Sequence, residues 1–104
     1  MENITNEYEI LVNPRACRDI EDIYKYISSE ILEPIVAKQQ TDRIWDAISL
    51  LSTFPYSHQD RIVGRYAGKG YKQLLIDNYM VIYRITEDKK IVTVVTVQYA
   101  GRNI

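Results

Sequence analysis

The chain has 104 residues, 46% hydrophobic and 26% charged, which is room for a single domain spanning 1–104 and excludes both a two-domain protein and a disordered tail. One cysteine, Cys17, excludes an internal disulfide and fits a reducing compartment. The net charge of −1 argues against wholesale nucleic-acid binding, yet residues 1–52 carry five basic and ten acidic side chains while residues 53–104 carry eight and four. An anionic partner is therefore expected on the second half. No apolar run is long enough for a bilayer, and no charged-then-apolar leader with a small-residue cleavage site is seen, so a cytoplasmic protein with no membrane partner is expected.

Taken in order, Tyr8 to Val12 alternates and predicts a short strand with Tyr8, Ile10 and Val12 on one face. Asn13-Pro14 then starts a helix, with Asn13 expected to cap the first-turn N–H groups and Pro14 at the position where a missing N–H costs nothing. Ala16, Ile20, Ile23, Ile27 and Ile31 recur at helical steps. Glu33-Pro34 restarts the chain in a second helix with the stripe Ala37, Thr41, Ile44, Ile48 and Leu51, ended by Phe54-Pro55. Two such helices joined tightly form a hairpin whose stripes share a third surface.

Residues 56–70 hold three glycines, His58, Arg61, Arg65 and Lys69, with Lys72 just beyond, and read as an extended loop. From Tyr71 the period becomes two and the residues turn to Val, Ile, Thr and Tyr. Strands are predicted over Tyr71–Ile76, Tyr79–Thr86 and Ile91–Tyr99, with turns at Asp77-Asn78, where Asn tolerates positive φ, and at 87–90. That register sets Ile76 opposite Tyr79 and Tyr71 opposite Arg84. One face then holds Leu74, Ile76, Tyr79, Val81, Tyr83 and Ile85 and receives the helices. The other holds Tyr71, Gln73, Leu75, Met80, Ile82 and Arg84, a mixed face suited to binding. Lys72 falls on the apolar side, at an end expected to fray.

His58 has no partners at metal-ligand spacing, so no metal or cofactor is expected and a plain loop role is the more economical reading. Cys17, at the edge of the first stripe, reads as a small packing residue. The segment Gly64 to Gly70 lacks phosphate-loop spacing. Tyr66, Tyr71 and Tyr99 lie close in sequence to Arg65, Lys69, Lys72 and Arg102, and aromatics interleaved with bases can hold phosphates while stacking on rings. Packing explains Tyr8, Tyr24, Tyr26, Tyr79 and Tyr83.

The order of elements, together with Ala16-Cys17-Arg18-Asp19-Ile20 through Ile27, Phe54-Pro55-Tyr56-Ser57, Lys69-Gly70-Tyr71-Lys72-Gln73-Leu74, Asn78-Tyr79-Met80-Val81 through Ile85, and Val97-Gln98-Tyr99-Ala100-Gly101-Arg102-Asn103, resembles the RelE/ParE superfamily of toxins. The resemblance covers nearly the whole chain. It implies an α+β fold, an N-terminal strand and helical hairpin on one face of a small, mainly antiparallel four-stranded sheet. It also implies a toxin of a type II toxin–antitoxin module, neutralised by a cognate antitoxin in a hetero-oligomer. One branch cleaves ribosome-bound mRNA and usually carries an arginine just after the aromatic opening the second hairpin strand, with lysines on the strand before; here those places resemble Met80, Gln73 and Leu75. The other branch poisons DNA gyrase by binding. The resemblance therefore leaves open a gyrase-directed toxin, favoured by Met80 and Leu75, a ribosome-dependent endoribonuclease, or a member that keeps antitoxin binding without toxicity. Implied site residues are Arg65, Lys69, Tyr71, Arg84 and Arg102 for binding, with Tyr99 and Lys72 as acid–base candidates.

Overall fold

In a computed structural model of the protein, described over residues 7–101, the elements are strand β1 (Glu9–Val12), helix α1 (Pro14–Lys25), helix α2 (Pro34–Ser49), and strands β2 (Tyr71–Ile76), β3 (Tyr79–Thr86) and β4 (Ile91–Tyr99). A π-helical turn, Tyr26–Glu30, prolongs α1, and 3-10 turns follow α2 at Leu50–Ser52 and β3 at Glu87–Lys89. The last three strands have the bounds that the change of period indicates. The sheet order is β1-β4-β3-β2; β1 runs parallel to β4 and the other neighbours are antiparallel.

The helices lie on one face. Ala16, Ile20, Ile23 and Ile27 from the first stripe and Ala37, Ile44, Ile48 and Leu51 from the second meet Leu74, Val81, Tyr83, Val92, Val94 and Val97 in one core, with Ile10, Val12, Ile76, Tyr79 and Ile85 at its margin. Thr41, within the second stripe, is buried because its hydroxyl donates back to the Ala37 carbonyl, 3.1 Å away, satisfying a polar group that would otherwise cost stability there. Tyr71 opposes Arg84 and Ile76 opposes Tyr79 as the hairpin pattern requires. In β4 the pairing shifts, so that Ile82 faces Thr96 while Tyr83 faces Val94. Val95 is the extra residue, and this bulge turns Val97 to the helix side together with Val92 and Val94.

Several expectations need correction. Ile31 does not join the core but is exposed, because the π turn ends the helix register one residue before it. Cys17 is exposed too. Asn13 occupies the cap position with extended geometry but its side chain makes no capping hydrogen bond. The left-handed residue of the hairpin turn is Asp77 (φ 54°), not Asn78; its carboxylate accepts from Arg43 at 2.8 and 2.9 Å and from Gln40 at 2.9 Å, tying the turn to α2.

The face away from the helices is covered over part of its area. Met80, Ile82, Thr96 and Gln98 on it are buried, and so is Arg61, which the sequence places in an exposed basic loop. Residues 59–61 run antiparallel along the outer edge of β2: the Arg61 N–H donates to the Tyr71 carbonyl at 2.8 Å and the Gln73 N–H to the Gln59 carbonyl at 2.9 Å. Arg61 then lays its guanidinium over the sheet, donating to Gln73 Oε1 at 3.0 Å and resting on Met80 Sδ at 3.3 Å. At the opposite edge β1 stops level with Val94. Beyond it Asp19 of α1 accepts from the Val97 N–H at 3.0 Å and the Thr96 hydroxyl at 2.5 Å. A carboxylate thus satisfies a strand N–H that has no strand partner.

Candidate functional site

The binding face is open, with a charged side chain on it, at the end where β2 begins and β3 finishes; at the turn end Leu75 is exposed. Tyr71 and Arg84 stand directly opposite each other, and cross-strand partners put their side chains on the same face. Arg84 is exposed, with Thr93 of β4 on its other side. Tyr66 reaches this end from the preceding loop and sets its ring edge-on to that of Tyr71, centroids 5.0 Å apart at 72°, a favoured aromatic geometry.

The loop can turn back because of its glycines. Gly64, Gly68 and Gly70 have φ of 77°, 69° and 83°, values that a side chain makes costly. Around Gly68 and Gly70 a Cβ would meet nothing within 4 Å, so backbone conformation and not crowding requires glycine there. Between these hinges Arg65 and Lys69 are exposed, and at the front of the loop so are Ile62 (79%) and Val63 (53%).

The structure therefore brings Tyr71 and Arg84 together as a direct pair and places Arg65 and Lys69 in the loop that delivers Tyr66 to them. Arg102 lies outside the described residues. The two acid–base candidates stand elsewhere. Lys72 follows Tyr71 on the strand and so points to the helix side. Its Nζ is engaged with Asp60 Oδ1 at 2.9 Å and the His58 carbonyl at 3.1 Å, and lies 5.8 Å from the Tyr56 ring centre. The end of β2 does not fray; it is pinned. Tyr99 pairs with Tyr79, five positions along β3 from Arg84, about 17 Å at strand rise, and on the opposite face. There its ring packs edge-on against Tyr79 at 6.0 Å. Burial, with Tyr99 and Tyr26 nearby, pushes the Tyr79 phenol up.

His58 sets its ring edge-on to Tyr83 at 6.4 Å; burial, then the neighbouring Lys72 charge, pulls its pKa down. Both disfavour the imidazolium form. Among the described residues no three His, Cys, Asp or Glu side chains gather as a metal site. Chemically, the site offers an exposed guanidinium across the strand pair from one member of a tyrosine pair, with two further exposed cations in the loop: it can hold an anion and stack on a flat group. Sequence reasoning passed over the partnership of Tyr66 with Tyr71 and the outward Ile62-Val63 pair. The tyrosine among basic residues was a signal for the first; the second has none, since β-branched residues in a loop read as a strand start.

No helix is long and apolar enough to cross a membrane among the described residues. Comparison with solved structures gives the same fold in three toxin–antitoxin systems. The chromosomal ParDE system of P. aeruginosa superposes with a TM-score of 0.77 at 13% identity, covering 93% of this chain and all of the other. The archaeal RelE–RelB complex of Pyrococcus horikoshii gives 0.63 at 16%, covering 92% and 98%, and the RelBE2 complex of Mycobacterium tuberculosis 0.61 at 19%, covering 89% and 98%. No curated protein matches the chain. Residues 10–104 match the family described as the ParE toxin of the type II toxin–antitoxin system parDE, and the chain belongs to that family.

Proposed function

We propose that this toxin inhibits bacterial growth in the cytoplasm by binding DNA gyrase, and that a cognate antitoxin holds it inactive in a hetero-oligomer. The separation of the acid–base candidates from the binding pair carries this reading. Cleavage of RNA needs a proton-transfer group within hydrogen-bond reach of the ribose hydroxyl while another group steadies the phosphate. Lys72 is committed to Asp60 and His58 on the far side of β2, and Tyr99 is a strand length from Arg84. The exposed Ile62 and Val63 favour the same view, because apolar side chains held out among charges suit a pocket on a protein more than a phosphate backbone. The antitoxin reading rests on family membership and on the neighbouring folds, which are seen in complexes named for both components.

A second reading, a ribosome-dependent endoribonuclease acting on mRNA, draws support from one observation: the Tyr66–Tyr71 ring pair beside Arg84 could stack a base next to a held phosphate. Induction of the toxin without its antitoxin separates the two. DNA-damage signalling with intact transcripts is the expected result. Codon-dependent cuts in cellular mRNA, mapped by primer extension, would replace the gyrase reading with the nuclease one.

A further inference from the structure

We propose that Lys72 is a positioning residue that straps residues 55–61 to the sheet and thereby sets where the loop of Arg65, Tyr66 and Lys69 meets Tyr71 and Arg84; this rests on the site reading above. The strap is held from the helix side of the sheet. The Tyr83 hydroxyl donates to the Pro55 carbonyl at 2.6 Å, and Lys72, Tyr83's cross-strand partner, donates to the His58 carbonyl and Asp60 Oδ1. The Tyr56 ring lies near the same ammonium, and its hydroxyl donates to Glu87 Oε1 at 2.7 Å.

Arg61, the last residue of the strap, grips the sheet from the other side through Gln73 and Met80. The next residue begins the loop, so its origin is fixed relative to β2, just as its end is fixed by Tyr71. With both ends set, the Tyr66 ring centre lies 5.0 Å from that of Tyr71. The Lys72 side chain is 17% exposed. Three of its contacts fall within five residues of one segment, an arrangement a lysine on a fraying strand end would not make. A flexible stem with a compact, multi-donor head suits this work: it reaches two acceptors in different directions at once.

The test uses the full chain and reads the loop directly. Tryptic cleavage after Arg65 reports how often the loop opens, because cleavage follows the open population when opening is fast. Lys72→Met keeps the stem and removes the donors; it is expected to speed that cleavage about tenfold and to weaken growth inhibition, with the thermal midpoint little changed. Lys72→Arg, which can still donate to both acceptors, is expected to restore slow cleavage and toxicity. Asp60→Ala removes one anchor without touching the strand and moves cleavage in the same direction by less, keeping the test open should Lys72→Met unfold. Cleavage at the wild-type rate in Lys72→Met and Asp60→Ala overturns the proposal, and so does faster cleavage with undiminished growth inhibition. If Arg84→Ala remains fully toxic, it is the site reading that fails, and the cleavage comparison still decides whether Lys72 holds the strap.

Discussion

Tyr83 and Arg84 are neighbours on β3 that face opposite ways, and replacing them has opposite consequences. Tyr83 is fully buried and its hydroxyl meets the Pro55 carbonyl at 2.6 Å; burial pushes its phenol far up and keeps it a donor. Tyr83→Phe leaves that carbonyl short of a partner and is expected to cost about 1–3 kcal/mol, read as a lower denaturation midpoint with an unchanged slope. Arg84 is exposed and its side chain packs into nothing in the core, so Arg84→Ala is expected to stay within about 0.5 kcal/mol of wild type while abolishing growth inhibition. A destabilised or fully toxic Arg84→Ala variant would contradict this. At this scale the sequence was informative about faces and poor about contacts. Period two in Tyr71–Ile76 puts Lys72 and Tyr71 on opposite sides without any structure. That Lys72 is occupied by Asp60 and His58, twelve and fourteen positions away, depends on a glycine-rich loop that carries no period at all.

Elements show where regularity stops and local chemistry takes over. Between the helices, Leu32 has φ 65° and is 74% exposed, a left-handed conformation that costs a residue with a Cβ about 1–2 kcal/mol and costs glycine little. Leu32→Gly is therefore expected to raise stability by about 1 kcal/mol, measured by chemical denaturation; a loss would mean that the side chain packs on something. The turn after β3 carries a different device. Glu87 accepts from Lys90, Tyr56 and Tyr8, and these hydrogen bonds pull its carboxyl from 4.5 to about 2. A carboxyl lowered in the fold contributes fully above its free value and loses that contribution as pH falls toward the folded one. Tyr56, pushed from 10.0 up to about 12, first by its hydrogen bond to Glu87, contributes fully below its free value and loses that contribution as pH rises past it. The contact is thus indifferent to pH across the physiological range and fails at either extreme. In Glu87→Gln the decline of stability between these two acid values is expected to flatten, as followed by denaturant melts at stepped pH; an unchanged decline would remove Glu87 from the account. Neither device was legible beforehand, because a short helix connection and a polar turn each fit several backbone paths. The strands were legible throughout, except the bulge at Val95, which a uniform alternation cannot reveal.

Over the whole molecule the charge split in the sequence becomes a division of labour. The acidic half forms β1 and the helical hairpin, whose job is to bury one side of the sheet; the basic half forms the loop and three strands that carry the candidate site. Sequence reasoning expected the second face to be free as a whole. Instead Arg61 lays its guanidinium on Gln73 and Met80 while Thr96 and Gln98 tie to Asp19 of α1, which leaves Leu75 exposed at one end of the face and the charged Arg84 exposed at the other. Exposed charges act over a Debye length, about 10 Å at 0.1 M salt and 3 Å at 1 M. Their main effect on association is on encounter with an oppositely charged surface. If the toxin docks on gyrase through this end, its inhibition of purified gyrase is expected to weaken steadily as salt is raised over the range in which the enzyme itself remains active. A variant with Arg65, Lys69 and Arg84 all replaced by Ala should inhibit less at low salt and show a much flatter salt dependence, with its fold intact because none of the three lies in the core. Wild-type inhibition that ignores salt would mean that the apolar pair Ile62 and Val63, not the charged rim, makes the contact; equal salt slopes for wild type and variant would place the docking surface on another face of the molecule.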